Sequence, residues 1–248
     1  MNRHSLVVTH FIMGEVEDYT ITLIEYDCTG PDTIPPVAIC KDQAICLNNG
    51  QQTLYPSNLD YLSNDICDDN LTFSVIDSSF NCSDIGQQPI QLFVEDDAGL
   101  RDTCTSILTV LDCTPPTATC SDVTLCLDAS GNTTITPNQI NNGSTDACDA
   151  SLDLSLSQNS FSCANLGGNT VTLTVTDDSG NSSSCQGSVT LTDCTAPSAN
   201  CQDVTACLNS TGNLNLTAAQ VNNASSDACD ASLTLSLNQS SFSCTDIG

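Results

Sequence analysis

The stretch Asn169-Thr-Val-Thr-Leu-Thr-Val-Thr-Asp-Asp-Ser-Gly-Asn-Ser-Ser-Ser-Cys-Gln-Gly-Ser-Val-Thr-Leu-Thr-Asp-Cys194 decides the fold. Thr170–Thr176 alternates threonine with an aliphatic residue, and Ser188–Thr192 keeps the same period of two. Asp178-Ser179-Gly180-Asn181 between them carries turn residues, so the pair is a β-hairpin with one apolar face. Upstream, Val123-Thr124-Leu125, Thr133-Thr134-Ile135 and Leu152–Leu156 read as further short strands, with Asp128–Asn132 as a turn. No helical stripe of useful length interrupts them. About seven short strands at this spacing indicate an all-β fold, an immunoglobulin-like β-sandwich.

The sandwich is repeated. Cys113, Cys120, Cys126, Cys148 and Cys163 recur 81 residues later as Cys194, Cys201, Cys207, Cys229 and Cys244. Cys185 completes the second set, and Cys28, Cys40, Cys46, Cys67, Cys82 and Cys104 form an earlier set with looser spacing. All 17 cysteines fall on this pattern. The chain therefore divides into 1–27, the tail of something else; 28–112 and 113–193, two complete modules; and 194–248, a third module without its sixth cysteine. Proline-bearing linkers, Thr114-Pro115-Pro116 and Thr195-Ala196-Pro197, should hold neighbours in a stiff line. A module of about 80 residues with no tryptophan has a marginal core, and small domains of this kind add disulfides or metal. Disulfides at this density persist in an oxidising compartment, so the expected location is extracellular or at the cell surface. Structural zinc is disfavoured, since there is no CxxC pair and His4 and His10 lie outside the modules.

Only Arg3, Lys41 and Arg101, with His left neutral, oppose 30 acids, for a net charge of −27. No basic surface exists to neutralise phosphate, which excludes nucleic acid and disfavours anionic membranes. Four of the acids are Glu (15, 17, 25 and 95), leaving 26 Asp, the acid that turns and calcium loops favour. Membrane insertion is not expected. Leu6–Met13 is apolar but short and makes a poor signal peptide. A secreted chain without a signal suggests that Met1 is not the true start, or that the sequence is an excerpt.

The string CTAPSANCQDVT (194–205), with SSDACDASLTLSL (225–237), SFSC (241–244) and the hairpin above, resembles the HYR-type repeats of large secreted surface proteins of Bacteroidota. Gly14-Glu15-Val16-Glu17-Asp18-Tyr19 resembles the closing signature of a GEVED domain, which would make residues 1–27 its last strands. The resemblance implies an Ig-like fold, an extracellular location and a structural or adhesive role. Cys113 and Cys126, with their counterparts, look like additions to a commoner four-cysteine module. They imply unusual mechanical or proteolytic resistance.

If the first and last strands run parallel, the 141–150 loop and the 177–181 turn share the end that faces the preceding module. Asp146, Asp149, Asp177 and Asp178 would then meet Asp112 of the linker, and the next junction would gather Asp193, Asp227 and Asp230. Hard oxygen ligands converging from separate loops suit Ca²⁺. The plainer reading is that these residues start turns and keep the surface soluble. Catalysis has little support, because the modules hold no histidine for a triad and no glutamate pair. Sequons at Asn70, Asn132, Asn209 and Asn223 matter only where the source glycosylates them.

The same strand geometry predicts Cys40–Cys104 and Cys120–Cys185 between the first strand and the last. Closing some 65 residues with such a bond is worth about 4 kcal/mol. Cys67–Cys82, Cys148–Cys163 and Cys229–Cys244 are also expected to pair. Parallel first and last strands favour boundary links Cys46–Cys113 and Cys126–Cys194 over the local alternative, Cys28–Cys46 and Cys113–Cys126.

Together these readings describe a non-enzymatic segment of an extracellular fibre or surface stalk, disulfide-locked and calcium-stiffened. An adhesin or carbohydrate-binding module is the first rival, though Tyr55, Tyr61 and Phe80 are the main aromatic platform on offer. A spacer of a larger secreted enzyme is the second. The partners expected are neighbouring copies of the chain, head to tail or bundled. Ser5–Thr9, a turn at Gly14 and Tyr19–Ile24 read as a hairpin of the length that module three lacks. One chain's head could therefore complete another's tail, unless the sequence is an excerpt of a longer array.

Overall fold

The computed structural model describes residues 28–247. The GEVED-like signature and the hairpin expected in residues 5–24 lie outside them. The first module contributes β1 (Gln43–Leu47), β2 (Gln51–Thr53), β3 (Thr72–Val75), β4 (Ser79–Asn81), β5 (Gly86–Glu95) and β6 (Arg101–Asp112). The second repeats the set as β7 (Val123–Leu127), β8 (Asn132–Thr134), β9 (Asp153–Leu156), β10 (Ser160–Ser162), β11 (Gly167–Thr176) and β12 (Ser182–Asp193). In each, a four-stranded sheet, β1-β6-β5-β3 or β7-β12-β11-β9, faces a small sheet, β2-β4 or β8-β10. One buried cluster per module draws on both layers: Leu47, Phe80, Leu92, Val94, Leu108 and Val110 in the first, and Leu127, Phe161, Val171, Leu173, Val175 and Val189 in the second. The chain is thus a tandem of Ig-like β-sandwiches.

The opening hairpin forms as its alternation requires. Val171, Leu173 and Val175 are fully buried while the intervening threonines are half-exposed, and β11 pairs with β12 from Gly167↔Leu191 to Thr176↔Ser182. First and last strands run parallel, β1 with β6 and β7 with β12. One element was not legible as a periodic pattern, the single-turn helix α1 (Pro137–Ile140). Pro137 starts it, Thr136 and Gln139 close a reciprocal cap, and Ile140 is fully buried in the core.

Module three has the turn sheet, β13 (Asn213–Asn215) with β14 (Ser241–Ser243), and the equivalent helix α2 (Ala218–Val221). The segments that match β7 and β9 are not strands, because the hairpin they would pair with is absent from the sequence. None of its described residues is a buried core hydrophobe, although Cys229 packs against the core of the second module.

The covalent frame differs from the expected one in a consistent way. Cys40–Cys104, Cys120–Cys185, Cys46–Cys113 and Cys126–Cys194 are bonded. The last two cross module boundaries, because the parallel register sets Cys46 beside Leu111 and Thr192 beside Cys126. The pairs Cys67–Cys82, Cys148–Cys163 and Cys229–Cys244 do not form. Instead Cys82 bonds to Cys148 and Cys163 to Cys229, both across a boundary, while Cys67 bonds to Cys28. The physical reason is position along the sandwich. Cys82 sits beside Gly50, in the turn after β1 that faces the next module. Cys67 sits beside Cys28 at the opposite end. Fifteen residues of sequence therefore separate two ends of one sandwich. Cys201, Cys207 and Cys244 are free and exposed.

Candidate metal centres at the module ends

The boundary between the first two modules is built from three loops. β6 ends at Asp112, whose backbone carbonyl accepts from Asn181 Nδ2 at 3.1 Å. The turn after β11 supplies Asp177, whose Oδ1 accepts the Asn181 N–H at 2.7 Å and whose Oδ2 accepts Asn181 Nδ2 at 2.9 Å. The 146–149 loop is an Asx turn: Asp146 Oδ1 accepts the N–H groups of Cys148 at 2.7 Å and Asp149 at 3.1 Å. Asp149 Oδ2 in turn accepts the Asp178 N–H at 3.1 Å. Asp112 Oδ1 likewise accepts the Thr114 N–H at 3.0 Å, so a backbone donor fixes one carboxylate oxygen of each aspartate.

One carboxylate oxygen from each of Asp112, Asp146, Asp149 and Asp177 falls within 4.8 Å of the others. Asp112 and Asp177 are buried, at 6% and 5% exposure. Asp112 Oδ2 is enclosed and has no hydrogen-bond partner. Asp178, also expected in this group, is exposed and contributes its backbone N–H rather than its carboxylate. Adjacent residues in a turn cannot both aim at one centre. Burial, together with the Asp178, Asp146 and Asp177 charges, holds the Asp149 carboxyl above its ordinary pKa despite the N–H it accepts from Asp178.

Asp193, Asp227 and Asp230 repeat the arrangement at the second boundary, again within 4.8 Å. Asp227 Oδ1 accepts from the N–H groups of Cys229 at 2.8 Å and Asp230 at 3.0 Å. The Thr195 hydroxyl and N–H, at 2.7 and 3.0 Å, hold Asp193 below its ordinary pKa. This set is one aspartate short, because the counterpart of Asp177 belongs to the missing hairpin. A third group, Asp32, Asp68 and Asp96, lies at the leading end of the first module. Sequence reasoning missed it. Asp68 and Asp96 stand 81 residues before Asp149 and Asp177, a signal that was available, but nothing in the sequence brings Asp32 to them.

The donor set fits a hard divalent cation. Every ligand is oxygen, the negative charge is concentrated, and enclosed carboxylate oxygens lack donors. Asp112, Asp146, Asp149 and Asp177 would hold Ca²⁺ at the first boundary, and Asp193, Asp227 and Asp230 at the second. An ion held there would tie the end of one module to two loops of the next.

The inter-module disulfides sit beside these acids. Cys148 follows Asp146 by two residues and bonds to Cys82, which lies against Gly50. Gly50 has φ +76°, and a Cβ there would lie 3.0 Å from Cys82 Sγ and 3.6 Å from Ala147 Cβ. Gly131 repeats this at the second boundary, with φ +74° and a Cβ position that collides with Cys163 Sγ. Glycine is required at both turns for the left-handed backbone and for the close approach.

No family model and no curated protein matches the chain. Solved structures with a similar fold are tandem cadherin domains. Human protocadherin-24 EC1-2 aligns at 10% identity and a TM-score of 0.36, over 65% of this chain and 100% of that one. Drosophila N-cadherin EC1-4 aligns at 9% identity and a TM-score of 0.36, over 64% and 50%. Human mucin-like protocadherin EC1-2 gives 12% identity and a TM-score of 0.29, over 63% and 96%. Among the described residues no helix is long and apolar enough to cross a membrane.

Proposed function

We propose that the chain is a non-enzymatic, load-bearing segment of an extracellular fibre or surface stalk, a line of HYR-type modules made stiff by calcium at each boundary. The observation that carries this reading is the double closure of the boundary. Two disulfides, Cys46–Cys113 and Cys82–Cys148, cross it at separate points, and the four-aspartate group lies between the same two modules. A single linker would leave a hinge. Two bonds and a shared ion remove bending and twisting freedom together. Modules joined this way transmit force rather than reorient, and the disulfides require an oxidising, extracellular setting.

The array extends by addition of like modules. Cys207 and Cys244 hold the positions of Cys126 and Cys163, the two cysteines that cross to the next module. Cys244 Sγ stands 3.7 Å from the Gly212 carbonyl, as Cys82 Sγ does from that of Gly50. A further module of the repeat, in head-to-tail order, would meet both.

Small-angle scattering tests stiffness directly. Wild-type protein in calcium should give the scattering of one fixed elongated shape. Protein with Cys82→Ala, Cys148→Ala and Asp112→Asn should give a broader ensemble. Identical ensembles would remove the basis for a load-bearing role. An adhesive reading keeps one observation in its favour, since Tyr55 and Tyr61 are exposed at 65% and 57% on the first module. Phe80 does not join them, being part of the core. Loss of surface attachment on Tyr55→Ser with Tyr61→Ser, with scattering unchanged, would favour adhesion.

A further inference from the structure

The first module closes its own leading end, and it does so with residues the second module lacks. Eleven residues lie between Cys28 and Cys40, against six between Cys113 and Cys120, so the first module carries five extra residues here. Cys28 bonds to Cys67, with Cα atoms 5.3 Å apart, which holds the start of this longer segment against the 65–68 loop. Cys67 is the counterpart of Cys148, which takes its partner from the preceding module. Asp32 lies in the longer segment and reaches Asp68 and Asp96, the counterparts of Asp149 and Asp177. Asp32 thus stands where Asp112 of a preceding module stands at the internal boundary.

We propose that Asp32, Asp68 and Asp96 form a self-contained calcium site at this end, with the longer 28–40 segment supplying from within the module the carboxylate that other modules take from a neighbour. The acidic group is not the only observation. Asp96 is 4% exposed, and its Oδ2 is enclosed without any hydrogen-bond partner, although Oδ1 accepts the Leu100 N–H at 2.8 Å. Asp32 repeats the pattern: Oδ1 accepts the Ile34 N–H at 3.0 Å, and Oδ2 is enclosed with no partner. An ionised carboxylate oxygen withdrawn from water without a donor is unfavourable, and a hard cation satisfies two or three of them at once. Asp68 is fixed from the other side by the Asp97 N–H, 3.1 Å from Oδ2. The one ion pair formed by described residues nearby, Arg101 with Glu95, uses Glu95 and leaves these three aspartates uncompensated.

The consequence is functional. A module end that binds its own ion and caps its own cysteine needs no like module before it to complete its site, whatever chain precedes Cys28. The inference rests on the reading that boundary aspartates take calcium, and the experiment separates the two. Bound ions are counted by native mass spectrometry on the 248-residue protein in calcium chloride, with magnesium chloride as control. Asp32→Asn keeps an acceptor for the Ile34 N–H and should leave the loop intact. With Asp96→Asn, it should lose one calcium from the count. Asp112→Asn with Asp177→Asn should lose a different one, and all four changes together should lose both. If the head pair leaves the count unchanged while the boundary pair lowers it, the head site is wrong and the boundary reading stands. If neither pair lowers it, both fall. A folding defect in the head pair would appear as loss of the Cys28–Cys67 peptide from a non-reducing map. Asp32→Asn alone would then have to lose the ion with that peptide present.

Discussion

The leading end of the first module and its boundary with the second use the same parts in different order. Both have an Asx turn ending in a cysteine, at Asp65–Cys67 and Asp146–Cys148, and a buried aspartate in the last hairpin turn, Asp96 or Asp177. At the boundary the remaining pieces, Cys82 and Asp112, come from the neighbouring module. At the leading end they come from within, as Cys28 and Asp32. The end of this sandwich is therefore a socket. What fills it, a neighbour or the module's own longer leading segment, decides whether the module is a link or a cap.

The largest effect should come from the covalent half of the socket. Cys82–Cys148 closes 66 residues and Cys28–Cys67 closes 39. Loop entropy assigns each about 4 kcal/mol, the boundary bond exceeding the head bond by about 0.5 kcal/mol. Urea unfolding of the paired alanine variants should show both losses. A boundary variant that loses nothing would mean the modules are not coupled there.

A smaller effect separates the glycine that admits this disulfide from one that merely turns. Gly131 and Gly143 share φ +74°, but a Cβ at Gly143 meets nothing within 4 Å, whereas at Gly131 it collides with Cys163 Sγ. Gly143→Ala should cost about 1 kcal/mol of backbone strain, and Gly131→Ala at least twice that. Equal losses in urea would show that the disulfide can shift to make room.

Acidity should act with opposite sign with and without calcium. Asp68 and Asp149 are both held above their ordinary pKa, first by burial and then by neighbouring carboxylates. A carboxyl of this kind costs stability at neutral pH, and the cost is relieved as pH falls through its raised folded value. Ion-free protein should therefore become slightly more stable on mild acidification. Calcium-loaded protein should become less stable, because protons displace the ion. At lower pH the contribution of Asp193, held below its ordinary value, is lost as well. Urea midpoints against pH, with calcium and with chelator, check the crossing. Parallel curves would count against an ion at these groups.

The sandwich itself was legible because alternation in Thr170–Thr176 and Ser188–Thr192 and the 81-residue cysteine interval are local or periodic signals. Parallel first and last strands then led to Cys46–Cys113 and Cys126–Cys194, and to the meeting of Asp112 with Asp146, Asp149 and Asp177. Proximity in sequence misled where the strand map was not followed through. Cys67 and Cys82 lie close along the chain but at opposite ends of the sandwich, so each seeks a partner outside its own hairpin region. Asp32 was invisible for a different reason. It repeats nothing, and long-range ties, the Cys28–Cys67 bond and the Val37–Asn64 backbone pairing, bring its segment to the site.

Calcium at the boundary is the claim on which the rest depends, and melting of the 248-residue protein tests it most directly. The protein is heated in millimolar calcium and again in excess chelator, alongside Cys82→Ala with Cys148→Ala, which leaves Cys46–Cys113 as the remaining disulfide across the boundary and so weakens the covalent masking of the effect. Calcium at a hundred times its dissociation constant contributes about 2.7 kcal/mol per site. Chelation should therefore lower the melting temperature by several degrees, and by more in the variant. Superimposed curves in both proteins would contradict the account and leave the aspartates as solvated turn residues.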